Sequence, residues 1–354
     1  MSCKRNKKHS APLVIQRPQL ISQKYLNTVP PSSILIHVME DRIGDALTKW
    51  PVIAGLKRAY PDITIVWMAG RHWSVFKREL ATLAAGVLDE VHDACGLGTR
   101  WTELLREPLA RHFDVVIATE SKLRSTLVLR RVPHRLFISP TYNFRFSDLK
   151  PPSNASESKS VFSRFSQLVS LALGQEIVPL REISPPNDLT LLAAERLPGN
   201  SPYVGFVPGA GGKSKQWPLN NYLQLARLQA ERRRCPVFFL GPEEVHWRTH
   251  IYSLIPSALF PEWGADGQQI GNPLLTIALA KRLNGAVAND SGGGHLIAAG
   301  GNPLITLFGP TSAEKFEPPY GKHTAISARE FGGTAMELIP VVSVDAALEN
   351  MLRS

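Results

Sequence analysis

Cysteine is scarce in this chain. Cys3, Cys95 and Cys235 are the three among 354 residues, far apart and without a CxxC spacing. Their scarcity excludes a disulfide framework and a cysteine-based metal site, and it suits a reducing compartment. Also missing is any apolar run near the roughly eighteen residues of a membrane span. The brief Leu13-Val14-Ile15 stretch, cut short by Arg17 and Pro18, does not read as a secretory signal. Acid is absent from the first thirty residues, which carry Lys4, Arg5, Lys7, Lys8, Arg17 and Lys24. Those six cations account for most of the net charge of +10 and leave about +4 for the remainder. With no nucleic-acid recognition motif and the charge concentrated in one tail, nucleic acid is not expected as a partner. Residues 1–30 read as a basic, disordered tail, either solvated or drawn to anionic lipid headgroups. The expected location is cytoplasmic, at most peripheral to the cytoplasmic face of the inner membrane.

What the chain does contain is enough apolar material, 44% of residues against 20% charged, to build real cores. Its length favours two of them. Strand-length apolar runs at Ile34–Met39, Ile63–Ala69, Phe113–Thr119 and Arg135–Ser139 alternate with helical spacing, first through Ala59, then over Ser74–Ala85 and Leu123–Arg131. After a polar, aperiodic stretch from about Leu149 to Ser160, a helix is expected over Val161–Leu173. The alternation resumes with strands at Tyr203–Val207, Val237–Leu240, Gly285–Ala288 and Leu304–Phe308. Helices are expected near Asn220–Arg233, Glu243–Leu254, Leu274–Arg282 and Gly294–Ala299. Alternation of this kind implies parallel sheets with crossover helices. The fold class is therefore α/β, two Rossmann-like domains facing a cleft, over residues 31–185 and 186–354. Ligands of such sheets collect at the carboxyl ends of the strands.

Four strand-end loops carry residues suited to chemistry. In Pro208-Gly209-Ala210-Gly211-Gly212-Lys213-Ser214-Lys215, glycines let backbone amides approach a ligand and two lysines offer charge to phosphate. The spacing fits neither the phosphate loop of nucleoside triphosphatases nor the GxGxxG dinucleotide fingerprint. In Asn289-Asp290-Ser291-Gly292-Gly293-Gly294-His295, glycines open a helix whose free N–H groups suit a diphosphate. Asp290 and Ser291 are equally suited to capping that helix, and His295 to packing inside the domain. Phe308-Gly309-Pro310-Thr311 ends the neighbouring strand and brings the Thr311 hydroxyl to the same edge. In the first half, Arg42-Ile43-Gly44-Asp45 occupies the first strand-to-helix turn. Asp45 there is either an N-cap or a carboxylate able to take a proton from a hydroxyl.

With these loops assembled, the chain resembles the ADP-heptose:lipopolysaccharide heptosyltransferases of glycosyltransferase family 9, from about Ile34 to the C-terminus. The resemblance rests on Arg42-Ile43-Gly44-Asp45 with Leu47 and Pro51, on Pro208-Gly209-Ala210 with Lys215-Gln216-Trp217-Pro218, and on Asn289-Asp290-Ser291-Gly292 with His295-Leu296 and Leu307-Phe308-Gly309-Pro310-Thr311. It implies a GT-B fold and an inverting, metal-independent transfer from a nucleotide sugar, ADP-heptose by family, to a hydroxyl of a saccharide or lipid-linked oligosaccharide. No other cofactor is implied. On that reading Asp45 is the general base and Lys215 offsets charge on the departing diphosphate. Donor contacts fall to Gly209, Ala210, Gly211, Lys213, Asp290, Ser291, Gly292, Gly293, His295 and Thr311. Glu243 or Glu244 would lie near the ribose or base, if not simply a first-turn helix carboxylate. Arg42, Gly44, Arg71 and Arg124 would face the acceptor. Three departures stand out: Ser291 where the family commonly has threonine, Gly293-Gly294 where it has a Pro-Met-like pair, and Met39-Glu40-Asp41 in the first turn where it more often has basic or small residues. Another nucleotide-hexose as donor, or a nucleotide-sugar binder without turnover, are the alternatives.

Overall fold

The computed structural model describes residues 30–106, 109–152, 159–199, 201–264 and 266–353. Almost all of the basic tail expected over residues 1–30 thus lies outside the described residues. Among the described residues ten strands form two parallel sheets. The first contains β1 (Ser33–Val38), β2 (Thr64–Ala69), β3 (Glu90–His92), β4 (Phe113–Ala118) and β5 (His134–Ile138) in the order β3-β2-β1-β4-β5. The second contains β6 (Tyr203–Val207), β7 (Cys235–Phe238), β8 (Gly285–Asn289), β9 (Leu304–Phe308) and β10 (His323–Ser327) in the order β10-β9-β8-β6-β7. The central strands β1, β6, β8 and β9 are buried along nearly their whole length, because helices cover both faces. That is why they read in sequence as unbroken apolar runs and not as alternation.

The main helices are α1 (Ile43–Ala59), α2 (Leu123–Leu129), α3 (Val161–Leu173), α4 (Asn187–Arg196), α5 (Leu219–Glu231), α6 (Trp247–Leu254), α7 (Pro273–Ala280), α8 (Gly292–Ala299) and α9 (Val341–Arg353). Their ends follow local chemistry. Ser160 and Gly174 bracket α3 as N-cap and left-handed C-cap, and the Asn272 side chain accepts from the Leu274 amide to start α7 at its proline. Helix α3 packs on α1, β4 and β5, whereas α4 packs on α7 and α9 on α5 and β8.

Two expected helices differ. Ser74–Ala85 is a 3-10 turn at Val75–Lys77 followed by one helical turn at Ala81–Ala84, because Ser74 is bonded to Asp41 and also caps the turn at Phe76. The helix expected from Glu243 starts only at Trp247, since Glu244 is turned inward. Strands β3 and β10 and helices α4 and α9 are additional to those expected.

The two sheets are joined through α1 and α8, which pack against each other, and one apolar cluster runs from the first sheet through this contact to the second. Proline 51 lies inside α1. Lacking an N–H, it cannot satisfy the Leu47 carbonyl one turn back. That buried carbonyl instead accepts from the Tyr320 hydroxyl of the second half at 2.7 Å. Tyr320→Phe should therefore cost roughly 1–3 kcal/mol, the usual penalty for a buried carbonyl left unpaired. In a Pro51→Ala background the restored amide can serve Leu47, and the same substitution should cost less. A urea-denaturation double-mutant cycle reads the difference; equal costs in both backgrounds would contradict the assignment.

Candidate active site

In each sheet the strand order reverses next to the first strand of its half, between β1 and β4 and between β6 and β8. The loops leaving these strands build the cleft, as expected at such switch points.

After β1, the Met39 amide donates to Glu120 Oε1 beyond β4 at 3.2 Å. Asp41 is buried and accepts from Trp67 Nε1 at 2.9 Å and from Ser74 Oγ. Burial raises its pKa despite both donors. Asp41 thus fastens the turn to the neighbouring β2 segment. Arg42 is the exposed N-cap residue of α1 and makes no side-chain cap. Asp45, in the first turn, is half-buried, and among the described residues its carboxylate accepts no hydrogen bond. Its position on the helix makes a negative charge favourable there.

In the second half, Asn289 is fully buried and organises two loops at once. Its amide donates to the Pro208 carbonyl at 2.7 Å, and its oxygen accepts from the Trp217 amide and the Tyr222 hydroxyl, both at 3.1 Å. Both ends of the lysine loop are held by this one side chain. The Glu244 carboxylate sits against Gly209 and Gly241, 2.6 Å from where a Cβ would stand at either position, so a side chain at either would displace it. Gln216 Nε2 donates to Glu244 Oε1 at 3.0 Å, and burial, aided by the charge of Glu243, raises the Glu244 pKa. Of the acidic pair it is Glu244 that the structure brings beneath the loop, while Glu243 is exposed. Lys213 is also exposed, but Lys215 reaches back to Asp290 Oδ2 at 3.1 Å and stands 5.9 Å from the centre of the Phe316 ring.

Ser291 is the N-cap of α8, its Oγ accepting from the Gly294 amide at 3.2 Å. The amides of Gly292 and Gly293 donate to no group among the described residues. His295 lies one turn into α8, its ring 2.8 Å from where a Gly44 Cβ would stand. This close approach is where the two halves touch at the cleft. His295 Nδ1 and Thr311 Oγ1 are buried and have no hydrogen-bond partner among the described residues.

The result is a cleft of ≈ 500 Å³ lined by Arg42, Gly44 and Asp45 from one half and by Gly211, Lys215, Asp290, Ser291, Gly292 and His295 from the other. A second cavity of ≈ 490 Å³ adjoins it, sharing Asp45 and Phe316 and lined also by Lys49, Lys122, Arg164 and Lys315. Gly209, Ala210, Gly293 and Thr311 do not line either cavity. Arg71 is exposed and pairs with Glu40 at 3.6 Å, and Arg124 donates to the Gly98 carbonyl at 3.2 Å, so neither lines the cleft. Trp73, Phe316 and the buried Lys49 do line these cavities without having been singled out from sequence. Lys49 had one available signal, its place one helical turn after Asp45. Among the described residues no group of three or more His, Cys, Asp or Glu side chains converges as metal ligands would.

The sequence model of glycosyltransferase family 9 (heptosyltransferase) matches residues 101–336, two-thirds of the chain. The chain belongs to glycosyltransferase family 9. Lipooligosaccharide heptosyltransferase 2 of Haemophilus influenzae is 25% identical over 303 residues, covering 80% of this chain and 85% of that protein. Among solved structures, a family 9 glycosyltransferase from Veillonella parvula superposes with TM-score 0.68 at 18% identity, over 91% of this chain and 97% of that one. An E. coli heptosyltransferase determined with ADP-2-deoxy-2-fluoro heptose superposes with TM-score 0.60 at 19% identity, over 90% and 99%. The protein is a glycosyltransferase, and its two facing sheets are those of the GT-B fold.

The buried imidazole at the domain contact makes the stability of this glycosyltransferase depend on pH. Burial lowers the His295 pKa below its ordinary 6.5, outweighing the pull of Asp290 and Asp45. The unfolded chain therefore binds this proton more readily than the folded one, and stability falls as pH drops below about 6.5. His295→Gln should lose less of its urea midpoint than the parent between about pH 7.5 and about pH 5.5. An identical loss in both would place the pH dependence elsewhere.

Proposed function

We propose that the protein transfers a heptose-like sugar from an ADP-sugar to a hydroxyl of a lipopolysaccharide-core or related saccharide acceptor, with inversion and without a metal. The observation that carries this reading is a carboxylate that accepts no hydrogen bond among the described residues, Asp45, lining the same cleft as Lys215 and the start of α8. An inverting transfer needs one base on the acceptor side and positive charge on the leaving-group side. Asp45 sits in the half that lacks the glycine loops and is free to take the acceptor's proton as its oxygen attacks the anomeric carbon. The diphosphate departs toward Lys215 and the Gly292 amide, which donates to no group among the described residues and where the helix N-terminus favours an anion. Asp290 holds the Lys215 ammonium on the second half's side of the cleft. His295 lines the cleft, and its buried Nδ1 has no hydrogen-bond partner among the described residues. The E. coli neighbour's bound ADP-heptose analogue and the heptosyltransferase relatives support the choice of donor over other nucleotide-hexoses. The same reading has the protein acting on the cytoplasmic side of a membrane.

Thermal shift with a panel of nucleotide sugars tests the donor site. A ligand at about a hundred times its Kd stabilises the fold by about 2.7 kcal/mol, so ADP-heptose should raise Tm clearly. Lys215→Ala should abolish most of that rise and lower transfer by ~10² to 10³, the scale seen when one charge-stabilising donor is removed. Transfer should persist in EDTA, and NMR should show the product anomer inverted relative to the donor. A Tm rise with a UDP-hexose and none with any ADP-sugar would overturn the donor assignment.

A further inference from the structure

We infer that Trp73 seats the acceptor, its indole stacking on a saccharide ring so that a hydroxyl of that ring meets Asp45. The inference rests on the reading that the first half takes the acceptor. Trp73 is 50% exposed and lines the same cleft as Arg42 and Asp45, together with the apolar side chains of Val75 and Val161. A large apolar side chain left on a surface needs no explanation by itself. One left open inside a substrate cleft, within a rigid frame, does.

The frame holds the chain on both sides of the indole. Before it, the amides of Gly70 and Arg71 donate to the Val38 and Met39 carbonyls at 2.8 and 2.9 Å, and the His72 carbonyl accepts from the Ala94 amide at 2.7 Å. His72 itself has φ of 28°, in the left-handed region that a residue with a side chain seldom adopts. After it, Ser74, Val75 and Phe76 are buried, and Ser74 donates to Asp41 while capping the turn at Phe76. Backbone strain held in place in this way gathers where geometry serves a ligand. The ring is oriented as well: the Arg78 guanidinium stands over it, 4.8 Å from its centre, and the His72 ring meets it at a steep angle with centroids 6.3 Å apart. Neither contact encloses it. The Trp67 and Trp217 indoles each donate a hydrogen bond, whereas the Trp73 N–H donates to no group among the described residues.

The chemistry of the partner follows from these features. An indole offers a negative π face and a single donor at its edge. A saccharide ring matches both, with C–H groups made partly positive by neighbouring oxygens on one face and hydroxyls around its rim. A nucleobase also stacks, but Lys215 and the start of α8, which suit a nucleotide's phosphates, belong to the other half. The aromatic ring beside Lys215 is Phe316, not Trp73. A platform fixed in advance loses little entropy on contact, and it sets the orientation an acceptor hydroxyl needs to come within hydrogen-bond reach of a base.

The test is transfer to the deacylated oligosaccharide of a lipopolysaccharide truncated in its heptose region, using whichever nucleotide sugar raises Tm. Trp73→Ala should raise the KM for this acceptor by about tenfold or more, through loss of the stacking contact and the area it covers. The change in kcat should be smaller and the Tm rise with donor unaltered. Trp73→Phe should recover most of the loss and Trp73→Leu little of it. In the full chain labelled with fluorotryptophan, the fluorine resonance that Trp73→Phe removes should shift on addition of the oligosaccharide and stay in place with the donor alone. An unchanged acceptor KM in Trp73→Ala, or a resonance that the oligosaccharide does not move, would overturn the inference. So would recovery by leucine equal to that by phenylalanine, or loss of the donor's Tm rise in Trp73→Ala, which assigns the indole to the donor. An error in the proposed donor shows instead in the parent, as no Tm rise with ADP-heptose, and leaves the fluorine readout as it is.

Discussion

The carbonyl of Leu47 finds its hydrogen bond in the opposite half of the molecule, and the arrangement of the active site depends on that. Pro51 removes the donor within α1, and Tyr320, buried beside it, supplies one from beyond β9. One turn earlier on the same helix, Gly44 has no side chain, and the His295 ring of α8 occupies the space where one would be. These two contacts bring the first turn of α1 against the first turn of α8. Asp45 comes from the one and Ser291 to His295 from the other, so the register between the helices sets which groups share a cleft. The Leu47 and Pro51 that accompany the Arg-Ile-Gly-Asp turn in sequence thus have a physical reason to be there.

Within the second half the corresponding constraint is Asn289. By bonding Pro208, Trp217 and Tyr222 together it ties the loop after β6 to the end of β8, and Lys215 then has little choice but to reach Asp290. The ion pair is partly buried, with Asp290 7% exposed and Lys215 35%. A lysine on an unsupported glycine loop would be a solvated charge. Held here, it is a cation fixed beside the start of α8. Glu244, seated under Gly209 and Gly241, stiffens the same loop from below.

Much of this was legible in the sequence, for reasons that also explain what was not. Central parallel strands such as Ile34–Val38 and Leu304–Phe308 are buried on both faces and announce themselves as apolar runs. The edge strands β3 and β10 keep polar, half-exposed residues and leave no such signal. Helix α9 did carry one, in Val344, Leu348 and Met351 on one face. The break in the expected Ser74–Ala85 helix comes from a bond to Asp41, thirty-three residues away, which no local pattern encodes. Glycine, hydroxyl and lysine at strand ends marked the site because each is a local choice of residue. Trp73, Lys49 and Phe316 reach the cavities only through the packing of α1, the segment after β2 and the turn after β9, so their role emerges on folding. The same holds for Glu244, which is distinguished from Glu243 only by the direction in which the turn faces it.

The central claim is that Asp45 acts on the acceptor's proton and leaves the donor to the other half. Donor affinity and turnover measured side by side for Asp45→Asn test it most directly. Loss of a general base should lower kcat by ~10² to 10⁴ with the Kd for ADP-sugar little changed. Full turnover in this variant would contradict the account.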